Sequence, residues 1–300
     1  MTKKNTIVFK VNNKIKAKVM AYYADKLRPK TPPYAVFQAE EADTVVTLYE
    51  SGKIMFQGPN ALIDASMWQE FNEVETKKET NAKVYYHTSA IGSDEVGTGD
   101  YFGPIVVTAA FVSKDKIKEL EKIGVNDSKL ITDEFIKKNI PEILKYVTYE
   151  SIILSNLEYN EKYSENFNLN KIKAILHNAV LSKLANKVKE YDHIIIDEFC
   201  SKKKYFEYLE GTRPLENITF IQKAESVHLS VAVASMISRY IFLNEMDKLS
   251  KDLGIILPKG AGPNTDLIGE EIVKKYDILK LKDVAKLNFK NTDRILKNAE

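Results

Sequence analysis

Two styles of hydrophobic patterning divide this chain. Up to about residue 72, apolar positions come in short, partly alternating runs, and residues 6–11, 34–38, 42–49 and 53–57 read as strands. Asn12 or Asn13 is placed to cap a helix running to about Leu27, with Ile15, Val19 and Tyr22 on one face. Pro29, Pro32 and Pro33 end that pattern, Glu50-Ser51-Gly52 supplies a hairpin turn, and 61–71 reads as a second helix. Residues 1–72 thus form a small α+β unit. One face of its sheet can be left open, and Lys10, Thr47, Tyr49 and Lys53 are the candidates to line it. Residues 73–86 are polar, lack apolar periodicity and read as a linker, with the boundary near residue 80.

From residue 87 strands alternate with helices, the pattern of an α/β domain. Strands are expected at 89–94, 105–112, 148–154, 193–197 and 218–222. Helices are expected at 114–123, 133–145, 169–188, 202–209 and 227–249, with two more after Asn264 and Asn291. The run 193–197 is almost wholly apolar and ends in an acid, as a strand buried on both faces does.

Length and charge sharpen this division. Three hundred residues suit two domains. The apolar stretch 227–243 is interrupted by His228, Arg239 and several serines, and is too short and polar for a membrane span. A single cysteine, Cys200, excludes an internal disulfide, and without a signal-like start it points to the cytoplasm. Residues 1–33 hold nine basic side chains against one acid, while the remainder holds 35 basic against 41 acidic. A basic arm ahead of an acidic body suits a polyanionic partner, with nucleic acid the first candidate.

The candidate chemistry is carried by acids at element ends. Asp94 and Glu95 close an apolar run and precede a turn containing Gly97 and Gly99; Asp197 closes another strand; Glu225 lies between a strand and a helix. Neighbouring strand residues point to opposite faces, so Asp94 and Glu95 share one site only if the strand ends or bulges between them. Sites in α/β folds gather at the carboxyl ends of strands, and clustered carboxylates there repel one another without cations. With two Mg²⁺ ions the same cluster becomes a phosphodiester-cleaving centre. His87, His177, His193 and His228 lack metal-ligand spacing and read as structural, and Cys200 has no His base. Arg239, inside an apolar helix, needs a partner, either a site carboxylate or a structural one. The loop Lys259-Gly260-Ala261-Gly262 is basic and able to touch phosphate without being a P-loop.

Four segments together resemble one family. Asp94-Glu95-Val96-Gly97-Thr98-Gly99-Asp100-Tyr101-Phe102-Gly103-Pro104 resembles the signature of type 2 ribonucleases H. Asp127-Ser128-Lys129-Leu130 is similar to that family's Asp-Ser-Lys turn. Ile194 to Phe199 resembles its central strand acid, and Lys223-Ala224-Glu225-Ser226 with 231–240 resembles its last acid and following helix. Thr98 between the glycines, Glu225 as the last acid and the extra N-terminal domain resemble the ribonuclease HIII branch, in which that domain is similar in fold to the TATA-binding protein and grips substrate.

The resemblance implies a ribonuclease H-like catalytic domain over 87–300. Asp94, Glu95, Asp197 and Glu225 become metal ligands and the catalytic core, holding Mg²⁺ or Mn²⁺, two ions in all. Gly97, Thr98 and Gly99 become contacts to substrate 2′-hydroxyls, and Ser128 and Lys129 contacts to a phosphate. The expected reaction is cleavage of the RNA strand of RNA/DNA hybrids, leaving 5′-phosphate and 3′-hydroxyl ends, by a monomer with no membrane partner. Two alternatives stand beside it: incision at single ribonucleotides in duplex DNA, as in ribonuclease HII, and a non-catalytic hybrid-binding protein.

Overall fold

The computed structural model of the chain describes residues 5–69, 84–126 and 131–299. Contacts divide the chain into two compact units, residues 1–83 and 84–300. Residues 73–83 of the expected linker lie outside the described residues, and 84–86 are helical.

In the first unit β1 (Asn5–Lys10), β2 (Ala35–Glu41), β3 (Thr44–Tyr49) and β4 (Lys53–Gly58) form an antiparallel sheet in the order β1-β4-β3-β2. Alternation decides its faces. Phe37, Ala39, Val46, Leu48, Ile54 and Phe56 point to one side, where Ile15 and Val19 of α1 (Asn13–Tyr22) and Ala61, Ala65 and Trp68 of α2 (residues 61–69) cover them. Asn12 caps α1 by accepting from the Ile15 N–H at 2.9 Å. Lys10 and Lys53 are cross-strand partners, as are Thr47 and Met55, so Lys10, Thr47, Tyr49 and Lys53 share the opposite face.

Two expectations for this unit need correction. The first helix stops at Tyr22, well short of Leu27, because the following backbone pairs with the sheet instead: Lys26 O accepts from Glu40 N–H at 3.0 Å and Arg28 N–H donates to Gln38 O at 2.8 Å. The expected strand from residue 42 begins at Thr44, since Ala42 takes a left-handed φ of 49° and turns the chain between β2 and β3.

The second unit is built on a five-stranded sheet of order β7-β6-β5-β8-β9: β5 (Ala90–Val96), β6 (Ile105–Val112), β7 (Thr148–Leu154), β8 (His193–Asp197) and β9 (Ile218–Ile221). β5, β6 and β7 run antiparallel, while β5, β8 and β9 run parallel. Ile91, Val107, Ile194 and Ile196 pack on one face against Ile172, Leu176 and Val180 of α6 (Leu169–Lys187). Ala90 and Ile195 pack on the other against Val231 of α8 (Leu229–Leu253). Gly92 permits that close crossing: a Cβ there would lie 2.5 Å from the Ser230 Oγ and Val231 N atoms. α3 (Ile117–Ile123) and α4 (Asp133–Ile143) extend the α8 layer, which buries Leu120, Ile136 and Ile140 with Val233 and Ile237.

Two helices went unread in the sequence. α5 (Asn156–Lys162) opens on a capping box made by Ser155 and Glu158. α7 (Lys202–Tyr208) follows β8 as expected. Three C-terminal helices, not two, complete the unit: α9 (Pro263–Lys275), α10 (Ile278–Val284) and α11 (Lys290–Ala299). They bury Ile272, Leu281 and Ile295 beside Tyr101, Phe102 and Phe242. Among the described residues no helix is long and apolar enough to cross a membrane.

Candidate active site

The backbone brings two of the four motif acids side by side. β5 and β8 are parallel, with Ser93 opposite Ile196, so the next step of the register sets Asp94 beside Asp197 on neighbouring strands about 4.8 Å apart. Alternation sends both toward α8, like Ala90 and Ile195 before them. Ser235 of α8 donates its hydroxyl to the Asp94 carboxylate, and the Ser238 hydroxyl donates to Asp94 O at 3.2 Å. Asp197 Oδ1 accepts from the Ala224 N–H at 3.2 Å. That bond ties β8 to the single 3₁₀ turn Ala224–Ser226, which carries Glu225, and Lys223 enters the turn in the left-handed region at φ 57°. Glu225 is exposed and lines a cleft of about 570 Å³ together with Ser226, Ser235, Asp133 and Arg239.

Glu95 does something else. The sequence requires a strand end or bulge if Asp94 and Glu95 are to face one way, and the structure has neither. β5 continues through Val96, and the register Asp94 to Thr108, Glu95 to Val107 and Val96 to Val106 runs without a shift. Glu95 therefore turns toward α6, where Lys173 and His177, four residues apart and on one helix face, both reach it. Lys173 Nζ pairs with Glu95 Oε1, and His177 Nε2 donates to Glu95 Oε2 at 2.9 Å. A carboxylate only accepts, so the proton on that ring nitrogen is fixed, and Nδ1 meets the Ser93 hydroxyl at 2.8 Å. Phe199, two residues beyond Asp197, roofs the pair. Its ring stacks on His177 with centroids 5.3 Å apart and lies 4.1 Å from Lys173 Nζ.

These surroundings drive adjacent carboxyls in opposite directions. Burial, reinforced by the negative charges of Glu95 and Asp197, pushes Asp94 up to about 7, against the pull of the Ser235 hydroxyl and the Glu95 N–H. Burial would raise Glu95 too, but His177 and Lys173 override it and hold the carboxyl down at about 2. Among the described residues no three His, Cys, Asp or Glu side chains stand close enough together to hold a metal ion: Glu95 is turned to α6, and Glu225 does not close on the Asp94–Asp197 pair.

The turn after β5 is bolted down from behind. Gly97 has φ 97°, and a Cβ there would lie 2.1 Å from Pro104 O, so only glycine fits; Gly99 is exposed, with nothing within 4 Å of a Cβ. Thr98 lies between them, half-buried. Asp100 Oδ1 accepts from the Gly260 N–H at 2.6 Å. Lys286, fully buried, donates to Asp100 O at 2.7 Å and to Gly103 O, and burial pushes its amine down to about 7. Ser128 and Lys129 lie outside the described residues.

Among residues expected to be structural, His228 fits. Its Nδ1 accepts from the Ser230 N–H at 3.0 Å at the start of α8, and its Nε2 donates to Thr88 O at 3.0 Å, which makes it a buried neutral ring with a lowered pKa. His177 corrects that expectation, because it touches a motif acid. Arg239 pairs with Asp133 and not with a motif acid.

The comparisons with known proteins define the class first. The ribonuclease HII family profile matches residues 91–292, and a domain of unknown function (DUF3378) matches 6–81. Ribonuclease HIII of Geobacillus kaustophilus is 42% identical over 92% of this chain and 93% of its own length. Ribonuclease HIII of Bacillus cereus is 37% identical over 98% of each chain. The crystal structure of Bst-RNase HIII in complex with Mn²⁺ superposes with a TM-score of 0.73 at 38% identity, covering 99% of both chains. The chain belongs to the ribonuclease HIII family.

Proposed function

We propose that this protein hydrolyses the RNA strand of RNA/DNA hybrids, leaving 5′-phosphate and 3′-hydroxyl ends, with Asp94, Glu95, Asp197 and Glu225 as its catalytic acids. The observation that carries the reading is the pairing of Asp94 with Asp197 at the ends of adjacent parallel strands, in a chain similar throughout its length to ribonucleases HIII. Two carboxylates so placed suit a hard divalent cation. The fit shows in Asp94 itself: without a cation nearby, its carboxyl retains a proton to about pH 7. Asp94 and Asp197 would hold Mg²⁺ or Mn²⁺ between them with Glu225 beside them, and Glu95 would join the ligand set for two ions only by turning away from Lys173 and His177. The ions would supply charge neutralisation at the scissile phosphate and an activated water.

This chain's own residues do the rest. Ser235 orients Asp94, and the Ala224 N–H orients Asp197. Lys173 and His177 fix the Glu95 carboxylate and keep it ionised. Gly97, Thr98 and Gly99 would meet a ribose through the exposed part of the turn at Gly99, and a 2′-hydroxyl contact there would select RNA over DNA. Ser128 and Lys129 would hold a phosphate. Residues 1–72 and 87–300 would act as separate domains joined by 73–86. The first would grip the hybrid through the exposed Lys10 and Lys53 and the half-buried Tyr49 of one sheet face, in the manner of a TATA-binding-protein-like domain; Thr47, on the same face, is fully buried and accepts from Gln38 at 3.0 Å. The protein would act as a monomer in the cytoplasm.

The test is a labelled RNA/DNA hybrid incubated with Mg²⁺, with Mn²⁺ and with a chelator. Metal-dependent cuts within the RNA strand are expected, and metal-independent cutting or none at all would overturn the reading. A duplex DNA carrying one embedded ribonucleotide tests the second reading, which the match of residues 91–292 to the ribonuclease HII profile favours. Poor incision there, beside efficient cutting of the continuous hybrid, is the expected result.

A further inference from the structure

We propose that Arg239 and Lys259, clamped together by Asp133, form a subsite for a backbone phosphate of the nucleic-acid strand lying in the cleft beside Asp94. The inference rests on the nuclease reading above and adds to it a binding site for the substrate backbone.

Asp133 opens α4, and two cations from different elements converge on it. Arg239 of α8 donates from Nε to Asp133 Oδ1 at 2.9 Å and from a terminal nitrogen to Oδ2 at 3.2 Å, while Lys259, from the loop before α9, donates to the same Oδ2. Those bonds to Arg239 outweigh burial and, with Lys259, hold the Asp133 carboxyl down at about 2, so it stays ionised at neutral pH. One negative charge thus faces two positive ones, and the cluster is cationic. Stapling α4 to α8 needs only Arg239. Lys259 is a second cation, its side chain 49% exposed, that neutralisation of Asp133 does not require. Donors also remain in excess. Arginine carries five N–H groups and lysine three, and Asp133 engages two of the former and one of the latter.

The placement matches a strand that reaches the acids. Arg239 follows Ser235 by four residues on α8, about 6 Å along the same face, and Ser235 bonds Asp94. Ser235, Arg239, Asp133 and Glu225 line one cleft. Lys259 reaches that cleft through Asp133, and its neighbour is anchored to the turn after β5, because the Gly260 N–H donates to Asp100 Oδ1 and Gly260 O accepts from the Tyr101 N–H at 2.9 Å. The cleft is therefore bipolar. Glu225 and Ser235, the partner of Asp94, mark the end that suits the scissile phosphate with divalent ions, and the cationic end suits a neighbouring phosphate directly, by the charge-assisted bonds that arginine and lysine make to such groups.

Salt dependence reads this subsite without reading catalysis. Each phosphate contact contributes roughly 0.7–0.9 to the slope of log K against log salt. Binding of a labelled RNA/DNA hybrid would be measured in chelator across a salt series, for the full-length protein and for Lys259→Gln, Arg239→Gln/Lys259→Gln and Lys137→Gln. Lys137 pairs with Asp247 on the exposed side of α4 and α8, at 2.8 Å, and serves as the control for loss of any surface charge. Lys259→Gln should lower the slope by about one and the double variant by up to about two, while Lys137→Gln leaves it unchanged. Thermal unfolding shows which variants remain folded, and Lys259→Gln alone decides the matter if the double variant does not. An unchanged slope for Lys259→Gln, or an equal fall for Lys137→Gln, overturns the subsite. If the wild-type protein neither binds nor cuts the hybrid, the nuclease reading fails with it; if it does both while Lys259→Gln keeps its slope, only the subsite is lost.

Discussion

Asp94 and Glu95 are neighbours in sequence and opposites in environment. The Asp94 side of β5 faces α8, where a serine hydroxyl is the chief support and the nearest charges are negative. The Glu95 side faces α6, where a lysine, a histidine and an aromatic roof surround one carboxylate. The difference follows from strand geometry alone, since β5 does not break between them. It teaches that one pair of acids can be tuned in two directions by two helices: one acid is left with its charge disfavoured, and the other has been given a cation.

The strongest way to break that comparison is to neutralise each acid in turn. Asp94→Asn should lower hybrid cleavage by about 10³-fold or more while leaving the melting temperature of the metal-free protein unchanged or higher, because it removes an acid whose charge the fold disfavours. Glu95→Gln should lose activity and also stability, since it strands Lys173 against Phe199, and breaking such a buried pair costs about 3–5 kcal/mol. Cleavage assays beside urea titrations in chelator measure both. Equal stability losses for the two variants would refute the contrast.

Lys173→Met approaches the same pair from the other partner. It leaves Glu95 with His177 alone and should cost a similar ~3–5 kcal/mol. Glu95→Gln combined with Lys173→Met should cost clearly less than the sum of the single changes, because no unpaired charge remains. Additive losses in the double-mutant cycle would mean that the pair is not coupled.

Proton linkage sharpens the contrast further. The Glu95 value of about 2 lies below the ordinary glutamate value, so its contribution is complete above about pH 4.5 and is lost as pH falls toward 2. Asp94 works in reverse. Its value of about 7 lies above the ordinary aspartate value, so between about pH 4 and 7 the unfolded chain ionises there while the folded protein keeps its proton. The Asp94 contribution to metal-free stability therefore falls as pH rises through that window, by at most about 4 kcal/mol. Urea unfolding in chelator between pH 4.5 and 7.5, wild type against Asp94→Asn, isolates this slope; identical slopes would exclude it.

Much of this was legible in the sequence, for definite reasons. Apolar runs ending in acids marked β5 and β8, and Lys10, Thr47, Tyr49 and Lys53 were candidates to share a sheet face, which the strand register bears out. The partners of Glu95 were not legible. Lys173 and His177 lie in the apolar stripe of α6 beside Ile172, Leu176 and Val180, and their spacing marks a shared helix face without saying what that face meets. The parallel crossing that brings α6 over β5 is a long-range fact. Lys286 was hidden in the same way: its apolar neighbours hint at burial, but the two carbonyls it holds lie more than 180 residues earlier in the chain. The early end of α1 shows the opposite failure, a helical pattern overruled when residues 26–28 pair with β2.

The smallest expected effect separates folding from substrate contact inside a single turn. Gly97 and Gly99 stand two residues apart, and only the first is demanded by the backbone. Gly97→Ala forces a methyl against Pro104 O and a left-handed φ onto alanine, so the turn itself must deform. Gly99 has neither constraint: its φ is ordinary and the space around it is empty. Gly99→Ala should therefore change stability by no more than about 0.5 kcal/mol, as surface substitutions away from special features do. If the turn meets a ribose as proposed, that methyl points into space the substrate needs, and KM for the hybrid should rise even though the fold is untouched. Melting temperature and KM measured on the same preparation decide it. A stable Gly99→Ala protein with unaltered KM would remove Gly99 from the substrate-reading surface, and a marked drop in melting temperature would contradict the open space around it.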